Sequence, residues 1–455
     1  VNLEVKDGKA GFGFYTTKAY KNATVSLKAG DKVISQEEIS IDPGKPYFKQ
    51  VTLPAGIDEH SLRAAITVEG HELVAYSPVQ IKATEKPAGV KMPVKPDDIK
   101  NNEELFLAGQ RIDQFHNPTL DADPYWEEVL RRDPGDVNAN TGMGILNLRK
   151  AQFETAEKYF NKAIDRLTFQ YTDAKDCEPW YYLGVALKAQ GKNDEAFTAF
   201  YKAAWSQEWK SPAYFSLAEI ASLKGNYEQA LDLVNQSIDA NALNVRAYEL
   251  KATLLRHLNK PEEAEKLLAF AKEKTDPLDA RIMAEKWLAS KNNKDAETLF
   301  KTLNENPATA QEIAAEYDNA GLWSDGNKVL SETITKSPDK AAISPLVYYY
   351  LGYFAENLDD KSKAKEYRRQ AMLQSPEYVF PFQSEVINVL KSAIAADPKD
   401  GHAMYYLGNL LYDWQPEEAI ALWKHSAEVD PNFAITWRNL AIAHAHQTNA
   451  GSQME

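Results

Sequence analysis

Two periodicities divide the chain. From Val1 to about Ile81, short β-branched runs alternate apolar and polar positions, as in Ala23-Thr-Val-Ser-Leu27 and Leu62-Arg-Ala-Ala-Ile-Thr-Val68. Turn residues separate these runs at Gly30-Asp31, Pro43-Gly44 and Glu69-Gly70. This spacing predicts about six or seven short strands in a small all-β sandwich of immunoglobulin or fibronectin type III style over residues 1–81. From Asn101 to His446 the apolar positions follow the helical period instead, in helices of about 12 to 15 residues joined by short loops. Between the two lies Lys82-Ala-Thr-Glu-Lys-Pro-Ala-Gly-Val-Lys-Met-Pro-Val-Lys-Pro96, rich in proline and charge, which predicts a semi-extended connector over 82–100. The fold expected is therefore mainly α, with a small β domain in front.

The helical part repeats itself. Aligned on Trp180, the chain shows Leu183-Gly184, Gly191, Ala196, Phe200 and Ala203. A step of 34 residues gives Tyr214 with Leu217-Ala218, Gly225 and Ala230, and another gives Tyr248 with Ala252, Ala264 and Ala271. Gly144, Ala156, Phe160 and Ala163 make the same pattern upstream. Tyr348, Leu351-Gly352, Ala364, Ala371 and Pro376 make it downstream, as do Met404, Leu407-Gly408, Ala419, Trp423 and Pro431. A partial unit starts at Trp437, and Ala284–Pro307 and Ala314–Pro338 read as degenerate copies. The small residue in the first helix of each unit admits the second helix closely, and the late aromatic fills the space between them. One such hairpin cannot bury its own apolar face, so successive hairpins must stack.

This pattern resembles the tetratricopeptide repeat over Asp136 to His446, about two thirds of the chain. The resemblance implies a right-handed α-solenoid of about eight or nine helical hairpins over 136–446, with a long concave face. Residues 101–135 then form a degenerate helical cap, and 447–455 a polar tail. The family's concave positions, carried over, are Tyr181 and Lys188 in one unit, and Phe215 and Glu219 in the next. They continue with Arg246, Glu249 and Arg256, then Tyr349 and Tyr353, and finally His402, Tyr405, Asn409 and Tyr412. Such a groove, rich in tyrosine with mixed charge, suits a peptide or protein partner, with carbohydrate as the alternative. Tyr181, Val185 and Ala189 stand where the family's two-carboxylate clamp needs lysine and asparagine, so a chaperone-adaptor role is disfavoured. A second resemblance lies in Asn102–Gln110, Asp123–Asp136 and Ala203–Trp209. These blocks are similar to the C-terminal half of large bacterial repeat proteins that carry an N-terminal mutarotase-like supersandwich. It implies that this chain is an accessory part of a longer carbohydrate-active polypeptide.

Composition narrows the function. A net charge of −14 lacks the basic stripe of a nucleic-acid binder and fits a basic or neutral partner. No run of 18 apolar residues predicts a membrane span. Cys177 is the single cysteine, and its neighbours Asp176 and Glu178 disfavour a thiolate. The eight histidines are scattered, and His444 and His446 fall on different faces of a helix, so no metal or other cofactor is expected. No HExxH, GxSxG or phosphate-binding loop occurs. Gly11-Phe-Gly13 reads as a turn or bulge. Asp123 reads as the N-cap of a helix with Pro124 at its first position. Leu167–Cys177 stretches one repeat to 40 residues between Gly144 and Gly184, as a loop that reaches a binding face or as a tolerated surface insertion. The chain is therefore expected to be a non-catalytic scaffold. Beginning at Val1, it is expected to lack a leader or a larger N-terminal region. The last unit, ending on its first helix, implies a continuation of the chain or a covering molecule such as a second copy. Cytoplasm and periplasm are both compatible with these features.

Overall fold

The computed structural model describes residues 1–80, 86, 88–89, 92–117, 119–173, 176–290 and 293–452. Much of the expected connector, and the last three residues of the expected tail, lie outside them. The chain divides into two compact units: Val1–Met92 with Ala269–Asp279, and Pro93–Leu268 with Ala280–Glu455.

The first unit holds seven strands: β1 (Asn2–Lys6), β2 (Lys9–Phe14), β3 (Tyr20–Ala29), β4 (Lys32–Ile41), β5 (Tyr47–Thr52), β6 (Leu62–Val68) and β7 (His71–Tyr76). They form two antiparallel sheets, ordered β1-β2-β5 and β4-β3-β6-β7. The fourth strand pairs with the third rather than the fifth, which is the fibronectin type III variant of the immunoglobulin sandwich. Alternation sets the core: Ala10, Phe12 and Phe14 of β2, Ala23, Val25 and Leu27 of β3, and Leu62, Ala64 and Ile66 of β6 all point inward. Glu69 and Gly70 both have positive φ, which makes the two-residue β6–β7 turn type I′ and matches the strand twist. Gly11 and Gly13 lie in mid-strand, which corrects the expected turn. The exposed Phe48 ring on β5 lies across both, 3.2 Å from where a Gly13 Cβ would stand.

The second unit is helical. Its elements are α1 (Asn102–Gln114), α2 (Asp123–Arg132), α3 (Val137–Arg149), α4 (Phe153–Leu167), α5 (Glu178–Ala189), α6 (Asn193–Ala203), α7 (Gln207–Leu223), α8 (Tyr227–Ala240), α9 (Val245–His257) and α10 (Pro261–Lys274), whose last residues belong to the first unit. Then come α11 (Ala280–Ser290), α12 (Asn293–Glu305), α13 (Pro307–Asn319), α14 (Trp323–Lys336), α15 (Pro345–Asn357), α16 (Lys361–Leu373), α17 (Glu385–Ala396), α18 (Gly401–Leu411), α19 (Pro416–Val429) and α20 (Ala434–Ser452). Helices α3/α4, α5/α6, α7/α8, α11/α12, α13/α14, α15/α16 and α18/α19 pair as antiparallel hairpins that stack on their neighbours, a helical solenoid.

The small-against-large rule of the repeat is visible in the packing. A Cβ on Gly144 would stand 2.4 Å from the Phe160 ring, one on Gly184 2.6 Å from Phe200, and one on Gly408 2.4 Å from Trp423. Asp136, Asn244, Ser344 and Asp400 cap the first helices of their hairpins through side-chain acceptors. Asp123 lies inside α2 and pairs with Lys150 at 2.7 Å, so it does not act as the expected cap. Helix α17 has no hairpin partner of its own. It follows the irregular segment 374–384 and packs on α15 and α18, outside the repeat register. Helix α20 runs to Ser452, so part of the expected polar tail is helical.

Two seams join distant hairpins within this unit. The Ser222 hydroxyl donates to the Ala320 carbonyl at 2.8 Å, and Gly321 abuts Leu223. Further along, Gln415 Nε2 donates to the Lys150 carbonyl at 2.8 Å, while the Lys150 ammonium lies 5.4 Å from the Trp414 ring centre. The solenoid therefore curls until non-neighbouring hairpin ends meet, and a half-open chamber lies between them.

Candidate functional site

The chamber is a cavity of about 700 Å3 bordered by α5, α7, α9, α13, α15 and α17. Six of the residues expected on the concave face line it: Tyr181, Lys188, Phe215, Glu219, Arg246 and Tyr353. One wall is a charge ladder. Lys188 Nζ donates to Glu219 Oε2 at 2.9 Å, and Arg246 lies 3.5 Å from Glu219 Oε1. Arg246 also donates from Nη2 to Glu316 Oε2 at 2.9 Å, with its guanidinium 4.6 Å from the Phe215 ring centre. Tyr181 stacks on Trp209 with ring centres 4.9 Å apart.

The other wall comes from helices that the repeat alignment reads as degenerate or passes over. Asp318 and Asn319 end α13, Trp323 begins α14, and Glu385 and Asn388 lie on α17. Trp323 Nε1 donates to Asp318 Oδ1 at 2.9 Å, and Asn319 Nδ2 donates to Glu385 Oε1 at 3.4 Å. Burial pushes the Asp318 carboxyl up to about 6, with Lys188 and the Trp323 N–H opposing and Glu385 adding to the rise. Among the described residues, neither Asp318 nor Glu385 has a cation within ion-pair distance.

The sign of this shift gives a prediction. A carboxyl whose folded value is raised from 3.8 to about 6 favours folding most at low pH, and that contribution is lost as pH rises through this window. Asp318→Asn, which keeps an acceptor for Trp323, is expected to raise stability at pH 8 by about 1–3 kcal/mol and to change little near pH 4. Thermal melts of both proteins across this range check it.

The remaining expected groove residues lie elsewhere. Glu249 is buried beside Glu316 and Glu285, and burial followed by those two charges raises its pKa well above the usual value. Arg256 belongs to a closed network. Its Nε donates to Glu285 Oε2 at 2.9 Å and its Nη2 to Asp325 Oδ2 at 2.9 Å. Glu285, fully buried, also accepts from the Tyr317 hydroxyl at 2.7 Å, and Asp325 also meets His257 Nε2 at 2.8 Å. Burial alone would raise Asp325, but hydrogen bonds from His257 and Arg256 hold it well below the usual carboxylate range.

Tyr349 is 1% exposed, with its hydroxyl 2.8 Å from Asp400 Oδ1, and Tyr405 is buried against Phe433. Neither ring offers the platform that a glycan would need. His402 stacks on Phe433 at 4.4 Å, Asn409 accepts from Asn439 at 2.8 Å, and Tyr412 packs on Trp423 with its hydroxyl 3.2 Å from His446 Nδ1. These side chains fill the spaces between stacked helices. Cys177 is buried at the start of α5, and burial pushes its thiol up. Among the described residues, no group of three His, Cys, Asp or Glu side chains is placed to hold a metal ion, and no helix is long and apolar enough to cross a membrane.

Stacked antiparallel hairpins, small-against-aromatic packing and an interior lined by first helices define a helical-repeat solenoid. Comparison with known proteins supports this class. Residues 215–279 match the tetratricopeptide-repeat model, so the helical part carries that repeat over those residues. Residues 1–76 match the model for the second domain of YphG-like proteins. Among solved structures, the MamA protein is 20% identical, with 38% of this chain and 91% of that chain covered and a TM-score of 0.33. A tetratricopeptide-repeat protein from Parabacteroides merdae is 13% identical over 68% of this chain and 98% of its own, with a TM-score of 0.30. YrrB, described as a tetratricopeptide-repeat protein with an unusual peptide-binding site, is 17% identical over 54% and 95%, with a TM-score of 0.25.

Proposed function

We propose that the helical array is a binding scaffold that holds a segment of another protein inside the chamber. The observation that carries this reading is the convergence of Tyr181, Lys188, Phe215, Glu219, Arg246 and Tyr353 on one cavity. Rigid aromatic rings beside fixed hydrogen-bonding groups give area and orientation together. A volume of about 700 Å3 lies within the range of sites that enclose a ligand of modest size.

The test uses a random library of peptides of about twelve residues, selected on the whole chain. Asn388 is exposed on α17 and lines the cavity, so Asn388→Trp fills the chamber without disturbing the core. Selected peptides are expected to bind the unaltered chain with Kd on the order of micromolar and Asn388→Trp at least roughly tenfold more weakly. Equal binding to both proteins would move the site elsewhere.

A second reading is favoured by one observation. The sandwich matches a domain that stands second in YphG-like proteins. On this reading the chain is the accessory part of a longer carbohydrate-active polypeptide. The mass of the protein isolated from its natural source decides it: a polypeptide well above 51.1 kDa supports this reading, and one of 51.1 kDa removes it.

A further inference from the structure

We infer that the segment held in the chamber presents a cationic side chain, a lysine or an arginine, to the wall formed by Asp318 and Glu385. The inference rests on the chamber reading and adds the chemistry of the occupant.

The argument is one of unmatched charge. Two cations line the cavity among the described residues, and both are ion-paired within the protein: Lys188 with Glu219, and Arg246 with Glu219 and Glu316, although Arg246 Nε has no hydrogen-bond acceptor. An anionic ligand would have to displace one of these buried partners, leaving a carboxylate without its counter-ion. Across the cavity the balance is reversed. Asp318 is met by an indole N–H and Glu385 by an amide and the Ser384 hydroxyl, and neither has a cation. The carboxylates interact: Glu385 adds to the rise of the Asp318 carboxyl. A cation placed between them removes that repulsion and replaces lost hydration.

A second observation in the same cavity points the same way. Glu219 is 4% exposed, and its Oε1 accepts no hydrogen bond, lying 3.5 Å from Arg246 in an ion pair alone. The chamber thus has a buried carboxylate oxygen without a hydrogen bond on one wall and two carboxylates without a direct ion pair on the other, with the charge of Lys188 only partly offsetting the rise of Asp318. Tyr353 and Trp323 line the cavity beside Asp318 and offer aromatic surface to the stem and head of a long basic side chain. The net charge of −14 attracts such a segment from a distance.

The test is a panel of three fluorescein-labelled Gly/Ser peptides of equal length carrying lysine, glutamine or glutamate at the same positions. Binding to the whole chain is read by anisotropy near physiological salt. The lysine peptide is expected to bind at least roughly tenfold more tightly than the glutamine peptide, and the glutamate peptide more weakly still. The double variant Asp318→Asn/Glu385→Gln is expected to abolish the lysine preference. The control Glu417→Gln/Glu418→Gln, on the exposed start of α19, removes the same formal charge and is expected to keep it.

Equal loss in both double variants would show bulk attraction and overturn the inference. Equal binding of the lysine and glutamine peptides, weakened by Asn388→Trp, would overturn it while leaving the chamber reading intact. Failure of all three peptides to bind overturns it, and the chamber reading then stands or falls on the library selection.

Discussion

Arg256→Met is expected to lower the unfolding free energy of the central hairpins by about 3–5 kcal/mol, one of the two largest single-site losses foreseen for this protein. The substitution keeps most of the side-chain volume and removes the guanidinium. Glu285 is fully buried and Asp325 is 1% exposed, so the two carboxylates that share this cation would be left without it. Tyr317 still donates to Glu285, and His257 and Lys328 still meet Asp325, which sets the loss at this scale rather than higher. Glu285 is already raised by burial with Arg256 in place, so without it the carboxyl takes up a proton more readily. The deficit is therefore expected to shrink as pH falls from about 7 to 5. In the unaltered protein Asp325 has the opposite sign. Its lowered pKa stabilises the fold above the ordinary value of 3.8, and that contribution is lost on acidification through its depressed folded value. Long repeat arrays depart from two-state unfolding, so hydrogen exchange in α9, α11 and α13 is the measurement to use. A loss below about 1 kcal/mol would show that the network is decorative.

The second large effect tests the packing rule itself. Phe200→Ala empties the space between α5 and α6 and is expected to cost about 3–5 kcal/mol. Gly184→Ala puts a methyl 2.6 Å from the same ring, which is itself buried, and is expected to cost about 1–3 kcal/mol by overpacking. The two act on one volume, so they cannot add. In the Phe200→Ala background the new methyl fills part of the cavity, and Gly184→Ala is expected to be neutral or mildly stabilising. Urea unfolding of the four proteins gives the coupling. Additive costs would mean that a glycine at 184 is required for some reason other than the facing ring.

Much of the fold was legible because its signal is periodic. Inward alternation marked β3 and β6, and the recurrence of Gly144, Gly184 and Gly408 opposite Phe160, Phe200 and Trp423 marked the hairpins. Gly11-Phe-Gly13 was misread because glycine normally punctuates strands, whereas here Phe48 from the next strand supplies the missing side-chain surface. Helix α17 was invisible to a 34-residue register because it is not half of a hairpin.

The candidate site was half legible for the same reason. Family positions located the wall from α5, α7 and α9, where the repeat is regular. They could not locate Asp318, Trp323 or Glu385, which belong to a degenerate unit and to the unpaired helix. Tyr349 and Tyr405 show the limit of position alone. Both occupy first-helix positions that face inward in the family, yet the elements stacked next to them bury them against Asp400 and Phe433. Arg256 and Glu249 are the polar counterpart, drawn into a buried network by carboxylates on α11, α13 and α14 that no local pattern announces.

The central claim is that a partner segment occupies the chamber. Hydrogen exchange of the whole chain, with and without a library-selected peptide at saturating concentration, tests it most directly. The account predicts slowed exchange in α7, α13, α15 and α17, and none of comparable size in β1 to β7. Slowing confined to the sandwich, or to helices that do not line the cavity, would contradict it.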